Sequence, residues 1–177
     1  FGHSNTNTRL FAEMGFDALF FARLDWADKD KRMNEKELEF VWMPSSESLG
    51  KEVNLLTHVL YHHYSAPVGI NFDILSSDGG IPFVIAKDSD SFSADKLAEV
   101  LMTDLDERAQ HYLTDDIFVL FGDDFRYINA FQNYENMDNM IKYMNEHHGD
   151  KYHFRYSTPS DYVDAVKKHN VAWPTKY

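Results

Sequence analysis

The protein is a chain of 177 residues, of which 44% are hydrophobic and 26% are charged, enough for one globular domain with a substantial core. Its 17 Lys and Arg residues against 29 Asp and Glu residues give a formal net charge of −12, which argues against nucleic acids and anionic membranes as partners. No apolar run approaches the roughly 20 residues that a membrane span needs. Cysteine is absent, which excludes disulfides, zinc–thiolate sites and a cysteine nucleophile.

The first third of the chain alternates between helical and strand-like patterns. Polar residues at its start and a glycine at its end predict a helix over Asn5–Gly15. The apolar run Ala18–Arg23 predicts a buried strand, and Leu38–Met43 predicts a second one that Pro44 stops. Val53–Leu60 fits either a strand or a helix, because its periodicity does not decide between them. The charged run over residues 28–32 is typical of a solvated helix face.

The alternation continues in the rest of the chain. A helix is predicted from Ala94 to about Leu113, capped by Ser93, with apolar residues at three- and four-residue spacing along one face. The next apolar run, Ile117–Phe121, is rich in β-formers and predicts a strand. A second helix is predicted to end at Gly149, with its apolar stripe at Tyr134, Met137, Ile141 and Met144.

Two further elements are predicted near the end of the chain. His153–Tyr156 is a strand candidate, and Thr158-Pro159-Ser160-Asp161 has the cap, first-turn proline and acidic residue of a helix start. Strands that alternate with helices in this way favour an α/β fold with a parallel sheet and no internal domain boundary. In such folds the functional groups gather beyond the C-terminal ends of the strands.

The pair Asp123-Asp124 follows directly on the predicted strand 117–121. Alternate residues of an extended chain point in opposite directions, so one carboxylate can face a cleft while Arg126 or a backbone amide holds the other. A carboxyl group at such a strand end can serve as a general acid. The alternative interpretation is an ordinary acidic turn after a strand.

Two other groups near predicted strand ends allow both a functional and a structural interpretation. Arg23, which ends the first strand, could orient a carboxylate in a cleft or form a surface salt bridge. The adjacent histidines His62 and His63 lack the spacing that zinc ligands need on a helix or a strand, which favours loop packing over metal binding.

From the residues alone, two functions stay open. One is a metal-dependent hydrolase, such as a phosphoesterase or deacetylase, that uses Asp123, Asp124 and histidines. The other is a non-catalytic carbohydrate-binding or interaction module, since 15% of the residues are aromatic.

Several segments, read in order, resemble one family. They are FGHS at 1–4, MGFDALFFARLD at 14–25, YSAP at 64–67, NFD at 71–73, GDDFRYINA at 122–130 and YSTP at 156–159. Together they resemble the family-38 glycoside hydrolases, which are zinc-dependent α-mannosidases, and they are closer to its lysosomal, acid type. The resemblance spans essentially the whole chain and implies the central part, residues 1–177, of an N-terminal (β/α)7-barrel-like catalytic domain.

The resemblance implies a retaining hydrolysis of terminal α-linked mannose on N-glycan-type oligosaccharides, with one carboxylate as nucleophile and another as acid/base. Matched motif by motif, Asp124 takes the place of the general acid/base. Phe1 matches an aromatic residue near the bound sugar, Arg23 an arginine that contacts the catalytic carboxylates, and Tyr64 a tyrosine that lines the sugar site.

The resemblance also implies that essential groups lie outside this sequence. The family's nucleophilic aspartate, itself a zinc ligand, precedes the position of Phe1, and the other zinc ligands lie further upstream or beyond Tyr177. We therefore expect a piece of a larger enzyme that needs its remainder, holds no zinc ligand of its own and is inactive alone. The resemblance further implies a mannose-containing oligosaccharide as substrate and a lysosomal, vacuolar or secreted location.

Overall fold

The computed structural model describes residues 2–73 and 79–177. These residues group into two compact units. The first comprises residues 2–63, 107–117 and 159–177, and the second comprises residues 64–73, 79–106 and 118–158. None of the helices that the structure describes is long and apolar enough to cross a membrane.

The first unit contains a four-stranded sheet with helices before and between its strands. In chain order its elements are α1 (Asn5–Glu13), β1 (Ala18–Phe21), α2 (Trp26–Glu35), β2 (Glu39–Trp42), α3 (Ser46–Leu49), β3 (Leu55–Val59), α6 (Pro159–Lys168) and β4 (Thr175–Lys176). Val53–Leu60, which the sequence left undecided, thus contains a strand. The predicted starts of α1 and α6 are confirmed, and Ser4 caps α1 by accepting a hydrogen bond from the Asn7 amide.

The sheet is mixed rather than wholly parallel. Its strand order is β1-β3-β2-β4, with parallel pairing of β1 with β3 and of β2 with β4, and antiparallel pairing of β2 with β3. The prediction of a parallel sheet is therefore wrong for the pair β2 and β3, which is antiparallel. Only the short helix α3 lies in their connection, whereas a parallel crossover usually carries a full helix that packs on the sheet.

Apolar side chains of the sheet form the core of the first unit. The buried members of this core are Leu38, Phe40, Trp42, Val59, Tyr61 and Tyr112. They come from β2 and β3 with their flanks and from the segment that follows residue 109. The ordinary alternation of a half-exposed strand is absent from β3, since all five of its residues are buried.

The second unit contains two long helices, α4 (Ala94–Ala109) and α5 (Ala130–His147). The last turn of α4 belongs to the first unit. The predicted face of α4 is confirmed at Leu97, Leu101 and Leu105, which are buried. Along α5 the buried face contains Met137 and Met144 as predicted, whereas Tyr134 is exposed. The core face is instead completed by Asn133, Asn136, Met140 and Tyr143.

The two strands predicted at 117–121 and 153–156 are wrong, since neither segment, each fully described, forms a strand. Each runs as irregular backbone between helices. A strand needs hydrogen bonds to a neighbouring strand, and the β-propensity of its residues reports only how well their side chains suit a half-buried surface. Residues 117–121 are half-buried, which accounts for their apolar composition.

Candidate functional site

The acidic turn Gly122-Asp123-Asp124 lies in the second unit, against the segment 64–66. The Ala66 amide donates to the Gly122 carbonyl oxygen at 3.2 Å, and the Ser65 hydroxyl donates to Asp123 Oδ2 at 2.6 Å. One backbone and one side-chain hydrogen bond thus join the two loops. This places Tyr64, half-buried, beside the turn that bears the candidate acid.

The two adjacent carboxylates differ in their surroundings. Asp123 Oδ1 accepts from the Asp124 amide at 2.7 Å, while Asp123 Oδ2 accepts from Ser65. Asp124 is exposed, and among the described residues no hydrogen bond to its carboxylate is found. A backbone amide thus holds Asp123, as the sequence analysis allowed, whereas the exposed Asp124 is not among the residues that line the cavity described below.

The turn continues in a backbone conformation that side chains rarely adopt. Phe125 has φ 59° and Tyr127 has φ 63°, both in the left-handed region, which is uncommon for residues other than glycine, asparagine and aspartate. Backbone strain of this kind persists only when the surrounding contacts fix it. Here the Tyr127 hydroxyl donates to the Phe121 carbonyl oxygen at 2.6 Å, which ties the end of the turn to its start.

A buried carboxylate contributes a further contact to the turn. Asp73 is 4% exposed, and its Oδ2 accepts from the Tyr127 amide at 3.0 Å. Asn71 Oδ1 in turn accepts from the Asp73 amide at 2.9 Å. The sequence analysis used the segment 71–73 only as part of a resemblance, and no spacing rule would have linked Asp73 to a turn more than fifty residues later.

A cavity of about 380 Å³ lies beside the turn, within the range of small-molecule pockets. Its polar lining includes Ser65, Asp73, Asp123, Arg126, Tyr127 and Asn133. Burial, followed by the nearby Tyr134, raises the pKa of the Tyr127 hydroxyl, which therefore keeps its proton. The lining thus combines hydroxyl, amide and guanidinium donors with carboxylate acceptors.

The other predicted site residues lie elsewhere in the chain. Arg23 belongs to the first unit and is exposed, and His3 Nε2 donates to its carbonyl oxygen at 2.7 Å. Asp25, two residues later, is the N-cap of α2 and accepts from the Ala27 amide at 3.0 Å. Phe1 lies outside the described residues.

A metal ion needs several donor side chains in one place. Within 2–73 and 79–177, no three His, Asp or Glu side chains are grouped closely enough to hold a metal ion. His62 is exposed and His63 half-buried, in the loop after β3. The described residues therefore do not fit a zinc site, and they offer no support for a metal-dependent hydrolase based on Asp123, Asp124 and histidines.

Comparison with known families defines the class of the protein. Residues 1–176 match the N-terminal domain of glycosyl hydrolases family 38. The chain therefore belongs to this family, which confirms the resemblance of its motifs.

The chain is also similar to individual proteins. The chain is 35% identical over 178 residues to the lysosomal alpha-mannosidase of Cavia porcellus, 38% over 180 residues to that of Dictyostelium discoideum and 35% over 179 residues to that of Homo sapiens. These matches cover 99–100% of the chain but 17–18% of each relative. The chain thus spans less than a fifth of the length of these relatives.

Proposed function

We propose that this chain forms part of the catalytic domain of a retaining α-mannosidase and supplies its general acid/base, Asp124. The observation that carries the proposal is the exposed carboxylate of Asp124, held in a turn that hydrogen bonds fix on both sides. Family membership over residues 1–176 supports the same assignment. The proposed substrate is terminal α-linked mannose on N-glycan-type oligosaccharides.

In the proposed reaction Asp124 acts twice. In the first step its carboxyl group donates a proton to the glycosidic oxygen as the bond from C1 to that oxygen breaks and a nucleophilic carboxylate bonds to C1. In the second step the Asp124 carboxylate takes a proton from water as the water oxygen bonds to C1 and the nucleophile departs. Net retention at C1 follows from these two displacements.

The nucleophile and the zinc ligands are proposed to lie outside this chain. Because the described residues do not fit a metal site, no step of the proposal is assigned to zinc. We further propose that Phe1, Arg23 and Tyr64 contact the sugar or orient the carboxylates, and that the remainder of the enzyme completes the site. A barrel-like domain without an internal boundary and a lysosomal, vacuolar or secreted location stay predictions.

The test is Asp124→Asn in the full-length protein that carries this chain. A general acid contributes about 10²–10⁴-fold to the rate, so kcat on an α-mannoside should fall by that factor while the circular dichroism spectrum is unchanged. Asp150→Asn is the matched control, since Asp150 is an exposed aspartate of the same unit. Near-normal turnover of Asp124→Asn would refute the assignment.

A second candidate function rests on exposed aromatic side chains. Phe125, Phe131, Tyr134 and Tyr156 are all more than half exposed, and all belong to the second unit. Such rings can stack on sugars, which fits a carbohydrate-binding module. The isolated chain would then bind mannose oligosaccharides in calorimetry, and binding would survive Asp124→Asn and weaken on Tyr134→Ala.

A further inference from the structure

The strongest feature that the proposed function leaves unexplained is the buried carboxylate Asp73. An aspartate is almost never fully buried unless its oxygens are partnered, and Asp73 is 4% exposed. One of its oxygens accepts from the Tyr127 amide at 3.0 Å. Its own amide is held at 2.9 Å by the side chain of Asn71, which fixes the direction of the Asp73 side chain.

The hydrogen bond from Tyr127 to Asp73 acts on a strained segment. Tyr127 and Phe125 both have positive φ, so relaxation of either would change the course of the backbone that begins at Asp124. A carboxylate that accepts from the Tyr127 amide stabilises this conformation, since charge-assisted hydrogen bonds are stronger than neutral ones. The Asp73 acceptor thus supports the left-handed backbone conformation of Tyr127 at the end of the turn.

The other end of the turn is fixed independently. Ser65 donates to Asp123 Oδ2, and Asp123 Oδ1 accepts from the Asp124 amide. Asp124 thus lies between two anchored points, one at its own amide and one three residues later at Tyr127. Neither anchor touches the Asp124 carboxylate, which leaves that group open to its ligand.

We propose that Asp73 is a positioning residue, which fixes the Asp124 carboxylate through the backbone of Tyr127. The inference rests on the proposed role of Asp124 as general acid/base. Misplacement of a catalytic group by about 1 Å can cost about 100-fold in rate. Loss of the Asp73 acceptor should therefore weaken proton donation specifically, rather than sugar binding or the nucleophilic attack.

Leaving-group dependence separates this role from a merely structural one. An α-linked mannobiose has a poor leaving group that needs the proton, whereas 2,4-dinitrophenyl α-mannoside releases a stable phenolate without it. In the full-length protein, Asp73→Ala should lower kcat/KM for mannobiose about 10- to 100-fold and for the dinitrophenyl substrate less than about 3-fold. Asp73→Asn should restore most of the loss, because its amide oxygen can accept from the same N–H.

Asn136→Ala is the matched control for buried hydrogen bonding. Asn136 is also 4% exposed and belongs to the same unit, and its side-chain oxygen accepts from the amide of Phe83, which is not a residue of the turn. The ratio of the two kcat/KM values should stay at the wild-type value in Asn136→Ala, even where this variant is less stable. If Asp73→Ala does not fold, Asp73→Ser takes its place, because the shorter side chain no longer reaches the Tyr127 amide.

The variant Asp124→Asn shows whether a contrary result refutes the acid/base assignment or only the positioning role of Asp73. If Asp124→Asn shows the leaving-group dependence and Asp73→Ala lowers both substrates equally, or neither, the positioning role is wrong and the acid/base assignment stands. A loss in Asp73→Asn equal to that in Asp73→Ala would also overturn positioning by a hydrogen bond. If Asp124→Asn shows no leaving-group dependence, the acid/base assignment fails and the positioning role fails with it.

Discussion

A buried ionisable cluster in the first unit allows a quantitative prediction of stability. Glu39, at 1% exposed, begins β2, and its Oε1 accepts from the Tyr162 hydroxyl at 2.7 Å and contacts His58 Nδ1 at 2.8 Å. The second oxygen, Oε2, is buried and has no hydrogen-bond partner among the described residues. The negative charge of Glu39 therefore depends on very few donors.

Tyr162→Phe removes one of these donors and leaves the packing of the ring in place. A hydrogen bond to a charged group contributes about 1.5–3 kcal/mol to the free energy of unfolding, whereas a neutral one contributes about 0.5–1.5 kcal/mol. We expect Tyr162→Phe to lower the free energy of unfolding by about 2 kcal/mol. With a denaturant slope of about 2 kcal/mol per molar urea, the unfolding midpoint should fall by about 1 M.

Tryptophan fluorescence is the suitable measurement, because it reports on one unit of the chain. All 3 tryptophans, Trp26, Trp42 and Trp173, lie in the first unit, and Trp42 is part of its core. Urea unfolding of the chain followed by their emission therefore reports the stability of the unit that contains Glu39.

Tyr112→Phe provides the matched control. Tyr112 is as buried as Tyr162, at 4% exposed, and belongs to the same unit, but its hydroxyl donates to the neutral Val59 carbonyl oxygen at 3.1 Å. We expect a loss of about 1 kcal/mol for this variant. Equal losses in the two variants, or a larger one in Tyr112→Phe, would refute the view that a charged acceptor makes the Tyr162 hydrogen bond the stronger one.

The remaining predictions concern how stability depends on pH and on the substitution of two glycines. Burial, followed by the charge of Glu39, raises the pKa of Tyr112 and of Tyr162 above the value of about 10 for an unfolded chain. The folded state therefore keeps protons that the unfolded state loses, so the free energy of unfolding is fully present below about pH 10 and falls as the pH rises above it. The urea midpoint should accordingly be lower at pH 11 than at pH 8. The decrease should be smaller in Tyr162→Phe, which lacks one of the two hydroxyl groups. In the second unit, Gly149→Ala would place its Cβ against the Asn145 carbonyl oxygen and should lower the free energy of unfolding by about 1–3 kcal/mol, measured by circular dichroism. Gly122→Ala, whose Cβ would meet an atom only at 3.8 Å, should be tolerated.

The sequence predicted the helices better than the strands, for a physical reason. Helix ends are determined locally, and the cap at Ser4 and the proline and acid at Pro159 and Asp161 lie where the structure begins α1 and α6. A strand depends on partners distant in the sequence. Ile117–Phe121 has a strand's composition but is not part of a strand, so composition alone gave the wrong answer.

The direction of strand pairing could not be predicted from alternation alone. The alternation of strands and helices predicted a parallel sheet, while Val53–Leu60 was left undecided between a strand and a helix. The only helix in the connection between β2 and β3, Ser46–Leu49, has 4 residues, and the chain returns antiparallel with Phe40 opposite Thr57. The length of the intervening helix, rather than the presence of strands and helices, was the informative signal.

The candidate site shows the same contrast between local and long-range information. The geometry of an extended chain allowed a backbone amide to hold one of two adjacent carboxylates, and the structure identifies Asp123 as the one that is held. Its partner, Ser65, and the second anchor, Asp73, could not be found by spacing, because each lies more than fifty residues earlier in the chain. Folding brings both to the turn, as the hydrogen bonds to Asp123 and Tyr127 show.

This arrangement explains why a catalytic aspartate would benefit from an aspartate beside it. A general acid/base must alternate between a protonated and an ionised state, so its carboxylate cannot itself be committed to fixed donors. Asp123 accepts hydrogen bonds from the Asp124 amide and from the Ser65 hydroxyl. These two bonds fix the backbone of Asp124 and do not involve its carboxylate. Replacing Asp123 with Ala removes both acceptor oxygens, so both hydrogen bonds are lost and Asp124 should become less well positioned. We therefore expect Asp123→Ala to show a leaving-group dependence like that of Asp73→Ala, and a variant without it would show that the Asp73 anchor alone positions the turn.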